Sequence, residues 1–224
     1  MAKPKKTRDR ILETSLALFN RDGEPNVTTV DIANELDISP GNLYYHFHGK
    51  DELVGELFAR FHAESLLILR EPQTRRLAID EYGYYLVVVF EHIHAWRFLY
   101  RHISLLMQRY ETIQRPFRRL IRMKQDAART ICLQLREAGM LQADDARIEL
   151  LARAIALTLT HWLDFEHLLE GDAGEGHSVY GGVLQVAALI APYLGEAQQA
   201  FMNAALALAS GEGRGTPDAR SSAA

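Results

Sequence analysis

The sequence predicts an all-α protein in which a small N-terminal helical domain is followed by a larger helical domain. Apolar residues recur at helical spacing through most of the 224 residues, and Gly, Pro and capping residues divide the pattern into segments. The segments before residue 50 are short, whereas those after Glu71-Pro72 are longer and more apolar. Hydrophobic residues make up 48% and charged residues 24% of the chain, which is typical of soluble globular proteins.

Three short helices are predicted before residue 50, at about 7–22, 28–36 and 39–49. The apolar residues of the first helix, at helical spacing, are Ile11, Leu12, Leu16, Ala17 and Phe19. At the second helix, Thr28 and Asp31 have the spacing of a capping box. At the third, Ser39 is a natural N-cap and Pro40 occupies the first turn.

The third helix lies in the stretch ISPGNLYYHFHGK and carries polar and aromatic residues where a core helix would carry Leu or Ile. Leu43 and Phe47, four residues apart, are the apolar pair predicted to hold it against the preceding helices. A turn of about four residues separates it from the second helix, as in a helix-turn-helix motif. Its remaining side chains can then face a DNA major groove, which is wide enough for one helix.

Several side chains in this region suit contacts with DNA. Asn42 offers a hydrogen-bond donor and an acceptor to a base edge, and Tyr44 and Tyr45 carry hydroxyl groups that can reach phosphates. The helix starts at Thr28 and at Gly49-Lys50 supply backbone N–H groups for phosphates. The alternative for Tyr44 is packing against the first helix.

The segment TTVDIANELDISPGNLYYHFHGKDEL, which spans 28–53, resembles the DNA-binding signature of the TetR family of transcriptional regulators. The matching features are the Thr pair before Ile32-Ala33, the Leu-x-Ile-Ser turn, Leu43-Tyr44-x-His46-Phe47, and Lys50 before an acidic residue and Leu53. With the first helix, the resemblance covers about residues 7–60. Beyond it, only the general pattern of long helices is shared.

The resemblance implies two sets of DNA-binding residues. Those aligned with base-contacting positions are Val30, Pro40, Gly41 and Asn42. Those aligned with positions that bind phosphates or set the helix position are Thr28, Thr29, Tyr44, Tyr45, His46 and Lys50. Because Val30 cannot hydrogen-bond and Pro40 and Gly41 offer little beyond shape, direct base readout is expected to rest on Asn42 and Tyr45. The basic N-terminal arm is expected to add affinity.

The predicted organisation is a DNA-binding domain at 1–50, a connecting helix at 51–70, a ligand-binding and dimerisation domain at 71–210 and a disordered tail at 211–224. The later helices are predicted at about 76–95, 97–109, 112–138, 145–170, 178–194 and 196–209. The run LVVVF at 86–90 has strand propensity, but no turn signal flanks it, so it is expected to be helical.

The resemblance also implies that the larger domain binds a small molecule and that this binding weakens DNA binding. The aromatic residues expected to contact this effector are Tyr85, Trp96, Phe98, Tyr100, Trp162 and Phe165. Such a set suits a largely apolar effector with one polar or anionic end. The candidates for the polar contact are His92, His94, Arg97 and Arg101, and a core role is the alternative for the aromatic residues.

The helices at 145–170 and 178–194 are apolar over much of their circumference, which predicts a homodimer interface. A twofold dimer suits a palindromic operator in double-stranded DNA. The function expected from the resemblance is therefore a ligand-responsive repressor that a small apolar effector releases from its operator. The alternative is a helical small-molecule-binding protein without operator-specific DNA binding.

Other classes of function have little support in the sequence. Cys132 is the single cysteine, which excludes an internal disulfide and suits a reducing cytoplasm. His161, Asp164 and His167 lack the i, i+4 pair of metal-binding helices, so no metal is expected. The sequence has no Gly-rich phosphate loop, no H-E-x-x-H motif and no usefully paired carboxylates, so neither an enzyme nor a cofactor is expected. No apolar run is long enough to span a membrane.

Overall fold

The computed structural model describes residues 6–77, 81–171 and 178–209, and over these ranges it confirms the all-α prediction. The α-helices are α1 Thr7–Asp22, α2 Thr29–Glu35, α3 Pro40–His46, α4 Lys50–Thr74, α5 Glu81–Ala95, α6 Phe98–Arg101, α7 Ile103–Arg109, α8 Glu111–Glu137, α9 Asp145–Glu170, α10 Ser178–Ile190 and α11 Gln198–Ala209. The predicted disordered tail at 211–224 lies outside the described residues. None of the described helices is long and apolar enough to cross a membrane.

The capping signals of the N-terminal helices are confirmed. The Thr28 hydroxyl accepts a hydrogen bond from the Asp31 N–H at 3.2 Å, and the Asp31 carboxylate accepts one from the Thr28 N–H at 2.8 Å. The Ser39 hydroxyl accepts from the N–H of Asn42 at 3.1 Å. These bonds satisfy backbone donors that would otherwise lack partners at the starts of α2 and α3.

The turn between α2 and α3 depends on Asp37, whose φ of 54° lies in the left-handed region. The N–H of Asp37 donates to the Asn34 carbonyl at 3.1 Å, and the N–H of Ile38 donates to the Ala33 carbonyl at 3.0 Å. This is the hydrogen-bond pattern of a Schellman motif, which closes a helix and redirects the chain. Asp tolerates this conformation better than most residues, so the short turn of the predicted helix-turn-helix can form.

The apolar pair of α3 is buried as predicted, since Leu43 is 2% and Phe47 0% exposed. On α1 the prediction holds for Ile11, Leu12 and Phe19, which are buried. It is wrong for Ala17, which is exposed, and the neighbouring Leu18 is buried instead. The buried faces of α1 and α2 thus support α3 from behind.

The structure corrects several helix boundaries. The third helix ends at His46 instead of Gly49, and the next begins at Lys50. The helix predicted at 97–109 is two helices, because His102 leaves helical geometry with φ −137° and ψ 41°. The helix predicted to reach 194 ends at Ile190, where a 3-10 turn that contains Pro192 begins. The LVVVF run lies within α5, as predicted.

The connecting helix α4 is longer than predicted, since it continues through Pro72 to Thr74 instead of ending at Arg70. A proline inside a helix has no N–H to donate to the carbonyl four residues earlier. In α4 that carbonyl belongs to Ile68, and the Tyr85 hydroxyl of α5 donates to it at 3.3 Å. Gln134 of α8 donates to the Pro72 carbonyl at 2.9 Å. Neighbouring helices therefore stabilise a turn that local propensity disfavours.

An aromatic cluster joins α4 to the helices of the larger domain. The fully buried ring of Phe61 stacks on His92 of α5, with ring centroids 5.3 Å apart. It also lies 5.9 Å from the rings of Trp96 and Tyr100 and 6.3 Å from that of Phe117 in α8. The central part of α4 is thus part of the same hydrophobic core as α5, α6 and α8.

Close helix packing at the other side of α5 depends on a glycine. A Cβ atom at Gly182 in α10 would overlap the ring of Phe90 in α5. The ring therefore lies directly on the α10 backbone, and the two helices approach more closely than larger residues would allow.

Replacing Phe61 by Ala is expected to lower the free energy of unfolding by about 3–5 kcal/mol, because it leaves a cavity at the centre of this cluster. Denaturant unfolding of the purified protein measures this change. The matched control is Leu67→Ala on the same helix, where 77% of the Leu67 side chain is exposed. A loss for Phe61→Ala no larger than that of the control would contradict the central role of the cluster.

Candidate DNA-binding surface and effector cavity

The outward face of α3 presents most of the predicted DNA-binding residues to solvent. Tyr45 is 81% and Tyr44 59% exposed, and the side chain of Asn42 is also exposed. Exposure of Tyr44 does not support the alternative in which it packs against α1. Pro40, Gly41, Thr28 and Val30 are exposed as well, while Thr29 and His46 are partly buried. Most of the predicted residues are thus accessible to solvent on α2 and α3 and at the turns that start these helices.

Histidines flank the two tyrosines of this face. The rings of Tyr44 and His48 meet edge to face with centroids 5.2 Å apart, and Tyr45 and His46 form a similar pair at 5.2 Å. The N–H of His48 donates to the Glu52 carboxylate at 2.8 Å, which links the loop to the first turn of α4. These contacts restrict the tyrosine rings and so pre-form the surface.

Part of the basic N-terminal arm is packed onto the fold. The Arg8 guanidinium lies 4.5 Å from the Phe47 ring centroid and 3.4 Å from the Glu56 carboxylate. Asp9 pairs with Arg60 of α4 at 2.8 Å. The arm residues before Lys6 lie outside the described part of the chain.

Lys50 occupies a different environment from the other predicted DNA contacts. Its ammonium lies 2.8 Å from a carboxylate oxygen of Glu24, and it also donates to the Glu24 carbonyl. Only 20% of the Lys50 side chain and 1% of the Glu24 side chain are exposed. This ion pair joins the start of α4 to the turn after α1.

Glu24 also connects the N-terminal helices to the larger domain. Its carboxylate accepts a hydrogen bond from the Tyr110 hydroxyl at 2.5 Å and lies 3.3 Å from the Arg109 guanidinium. Burial, together with the negatively charged partner, raises the pKa of Tyr110. Lys50 of α4, Arg109 at the end of α7 and the adjacent Tyr110 thus converge on one buried carboxylate.

A second polar contact lies at the end of α1. The Asn20 side chain donates to the Ala95 carbonyl at 2.8 Å and accepts from the Phe98 N–H at 3.0 Å. Arg101 donates to the Asn20 carbonyl at 3.3 Å. Sequence reasoning did not single out Asn20 or Glu24, because a polar residue near a helix end is usually solvated.

The larger domain contains an apolar cavity of about 360 Å³ between α4, α5, α8, α9, α10 and α11. Most of its wall consists of aliphatic side chains and tyrosine rings, which include Leu69, Tyr82, Tyr85, Ile131, Ile155 and Val183. This volume is within the range of sites that bind small organic molecules.

The structure places one of the six predicted effector residues, Tyr85, in the wall of this cavity. The others lie elsewhere. Trp96 donates to Glu64 at 2.9 Å, Phe98 packs against Phe19, and Tyr100 belongs to the aromatic cluster around Phe61. Trp162 packs against Phe165, which is 54% exposed on α9. Helical spacing indicates that an aromatic residue belongs to the apolar face of its helix. It does not indicate which part of that face lines a cavity.

The charged group at the cavity is Lys124, which was not among the predicted polar contacts. Its ammonium donates to the Leu159 carbonyl at 3.0 Å and lies 4.5 Å from the ring centroid of Tyr100. Burial lowers the pKa of Lys124 to about 7. The predicted candidates His92, His94, Arg97 and Arg101 do not line the cavity.

His92 and Cys132 lie close to this region in neutral forms. Burial and, secondarily, the charge of Lys124 lower the pKa of His92 to about 4. The Cys132 thiol forms part of the cavity wall, and burial raises its pKa to about 11, so it stays a neutral thiol at neutral pH. Among the described residues, no group of three His, Cys, Asp or Glu side chains is placed to hold a metal ion.

The low pKa of Lys124 makes stability depend on pH. The unfolded chain binds this proton up to about pH 10.5, whereas the folded protein loses it near pH 7, so stability rises with pH between these values. We therefore expect the unfolding free energy of the wild type, relative to Lys124→Met, to rise by about 2–3 kcal/mol from pH 7 to pH 9.5. Urea unfolding at several pH values measures it, and parallel curves for the two proteins would contradict a neutralised lysine.

Two family models match the chain. The model described as "Bacterial regulatory proteins, tetR family" matches residues 11–57, which include α1 to α3. The model described as "TetR: Bacterial transcriptional repressor" matches residues 60–201. A probable acrEF/envCD operon repressor of Escherichia coli K12 is 32% identical over 72 residues, which are 32% of this chain and 28% of that protein. The chain thus spans less than a third of the length of this curated relative.

Solved structures extend the similarity to most of the chain. A TetR-family transcriptional regulator from Marinobacter aquaeolei VT8 is 32% identical, with a TM-score of 0.78 over 92% of this chain and 98% of that one. The SmeT–triclosan complex has a TM-score of 0.58 at 17% identity, over 87% of this chain and 94% of SmeT, and therefore shares the fold. Because the family models cover both the N-terminal helices and most of the larger domain, the chain belongs to the TetR family of bacterial transcriptional regulators.

Proposed function

We propose that the protein is a ligand-responsive transcriptional repressor that binds a palindromic operator as a dimer and is released by a small, largely apolar effector. The observation that carries this proposal is the outward face of α3, where Asn42, Tyr44 and Tyr45 are exposed while Leu43 and Phe47 are buried. A polar and aromatic surface on a helix that is held rigidly from behind suits insertion into a major groove.

Within this surface the side chains have different proposed roles. Asn42 and Tyr45 reach base edges, and the Tyr44 hydroxyl and the N-terminus of α2 contact phosphates. Pro40, Gly41 and Val30 contribute shape and methyl contacts, and Thr28, Thr29 and His46 contact the backbone or set the position of α3. Lys50 positions α4 through Glu24, since its ammonium is already paired with that carboxylate.

A homodimer is proposed through α9 and α10. The outward face of α9 carries the exposed apolar side chains of Leu150, Leu157 and Leu168, which are seven and eleven residues apart and therefore lie on one side of the helix. Phe165 is also exposed on this helix. Such a continuous apolar stripe on a long helix is unfavourable in water and suits a twofold contact with a second copy.

The effector is proposed to occupy the cavity and to act through α4. Leu69 of α4 lines the cavity, and Tyr85 both lines it and donates to the α4 carbonyl of Ile68. Lys50, at the other end of the helix, lies about 28 Å from Leu69 at 1.5 Å per residue. An effector that prefers one tilt of α4 therefore changes the position of the DNA-binding helices, and a hundredfold preference is worth about 2.7 kcal/mol.

Binding of triclosan by SmeT, a protein of the same fold, supports a hydrophobic effector in this type of domain. A regulator of this kind acts on chromosomal DNA and so works in the cytoplasm. The alternative, a helical binding protein without operator specificity, leaves the exposed face of α3 without a role. Operator selection from random DNA distinguishes the two, because the alternative yields no enriched sequence.

Replacing Asn42 by Ala is expected to weaken binding to the selected operator by about 1–3 kcal/mol and to relax base preference at one position of each half-site. Binding to unrelated DNA and the dependence on salt should remain as in the wild type, because no phosphate contact is lost. The matched control is Asn34→Ala, since Asn34 is an exposed asparagine of α2 that is not among the predicted DNA contacts. Unchanged operator affinity in Asn42→Ala would contradict the proposed readout.

The dimer interface is tested by Leu157→Glu, because a charge in the apolar stripe of α9 should separate the two copies. Light scattering at micromolar concentration is expected to show a dimeric wild type and a monomeric variant. Leu67→Glu is the control, since Leu67 is 77% exposed on α4, outside this stripe. A monomeric wild type, or a dimer that survives Leu157→Glu, would exclude the stripe as the interface.

A further inference from the structure

The wall of the cavity has one charged side chain among the residues that the structure describes, and it is Lys124 of α8. The other lining groups there are aliphatic, aromatic or, in Cys132, a neutral thiol. Only 4% of Lys124 is exposed, so its ammonium has lost nearly all of its water. A charge in such surroundings is costly unless a partner of opposite charge compensates it.

Among the described residues, the partners of this ammonium are neutral groups. Its Nζ atom donates to the Leu159 carbonyl at 3.0 Å, and the Thr160 hydroxyl oxygen lies 3.5 Å away. The face of the Tyr100 ring lies beneath it. Within the described ranges, no Asp or Glu carboxylate forms an ion pair with Lys124.

The position of Lys124 also argues for a role in the cavity. It falls on the buried stripe of α8, four residues after Leu120 and three before Ala127. An aliphatic side chain at this position would continue the stripe without any desolvation cost. Lysine instead directs a cation to the boundary between the apolar cavity and the hydrogen-bonding groups of α9.

We propose that the effector is an organic acid, in which an apolar body fills the cavity and a carboxylate pairs with the ammonium of Lys124. This inference rests on the proposed function, since it specifies the chemical class of the effector for the same cavity. The pair completes a site that otherwise holds a buried cation with neutral partners alone. An amine would be repelled there, and a neutral alcohol would not compensate the charge.

The proposal has a consequence for the pH dependence of binding. Lys124 must be protonated to pair with a carboxylate, and its pKa is about 7 in the protein without ligand. Among the described residues, His92 and Tyr100 interact with it, and Cys132 lines the same cavity. Burial lowers the pKa of His92 to about 4 and raises that of Tyr100 and of Cys132, so these three stay neutral between pH 6.5 and pH 8.5. Acid affinity should therefore fall as pH rises through this interval.

The experiment compares decanoic acid with decan-1-ol, which share an apolar chain and differ in the charged group. Binding to the full-length protein is measured by titration calorimetry at pH 6.5 and pH 8.5, below the micelle concentration. For the wild type at pH 6.5 the acid is expected to bind at least about tenfold more tightly than the alcohol. The preference should shrink at pH 8.5 and disappear in Lys124→Met, which keeps the length of the side chain but removes the charge.

Two variants control for changes in shape and folding. Cys132→Ala alters the cavity wall without changing its charge and should keep the acid preference. Lys124→Gln replaces the cation by a neutral polar group and should lose it, so the result does not depend on the Met variant alone. Circular dichroism establishes that each variant is folded.

The possible failures are distinguishable. Equal affinity of the wild type for acid and alcohol, or an acid preference that survives in Lys124→Met and Lys124→Gln, would overturn the organic-acid proposal while leaving the effector cavity in place. Failure of both ligands to bind the wild type would overturn the cavity as an apolar effector site, and the organic-acid proposal with it. DNA binding through α3 is measured separately and is independent of either result.

Discussion

A carboxylate that is almost fully removed from water joins three parts of this chain. Glu24, in the turn after α1, is compensated by Lys50 at the start of α4 and by Arg109 at the end of α7, and it accepts a hydrogen bond from Tyr110 between α7 and α8. Leaving a buried charge without its partners typically costs about 3–5 kcal/mol, so these groups can separate only at considerable expense. The orientation of the helix-turn-helix relative to the larger domain depends on this contact.

Asn20, in the last turn of α1, forms a second contact between the N-terminal helices and the larger domain. Its side-chain amide donates to the Ala95 carbonyl and accepts from the Phe98 N–H. A movement that breaks one of these hydrogen bonds also exposes the other one to water. With Glu24, Asn20 fixes the C-terminal end of α1 against α5–α8. A change in the position of α3 relative to the larger domain therefore involves the N-terminal helices and these contacts together, with α4 as the long helix that connects them to the cavity.

Most of the fold was predictable, because it is encoded in local signals. These signals extend over only three to eight residues each: the capping box of Thr28 and Asp31, the N-cap Ser39 and the apolar stripe of α1. The structure confirms nearly all of them. The continuation of α4 through Pro72 was not predictable, because it depends on Tyr85 and Gln134 from other helices. Local propensity contains no information about such partners.

The exposed face of α3 was likewise predictable, since its residues lie close together in sequence, whereas residues of six helices form the cavity. Lys124 lies in an arginine-rich stretch of α8, a pattern that is typical of a solvated helix surface. Its spacing from Leu120 and Ala127 does place it on the apolar stripe, and this is the signal that could have identified it. No comparable signal separates aromatic residues that line a cavity from those of a packed core. Trp96 and Phe98 have the expected helical spacing, yet they belong to the packed core.

The proline near the end of α4 has a mechanical consequence. A helix resists bending because each turn is tied to the next by backbone hydrogen bonds, and Pro72 removes one of these ties at Ile68. Before Pro72, α4 is a stiff helix. After Pro72, side chains of α5 and α8 hold its last turn in place. Tyr85 and Gln134 therefore determine how easily the last turn of α4 bends. The larger domain thus controls how firmly it holds the helix that leads to the N-terminal domain.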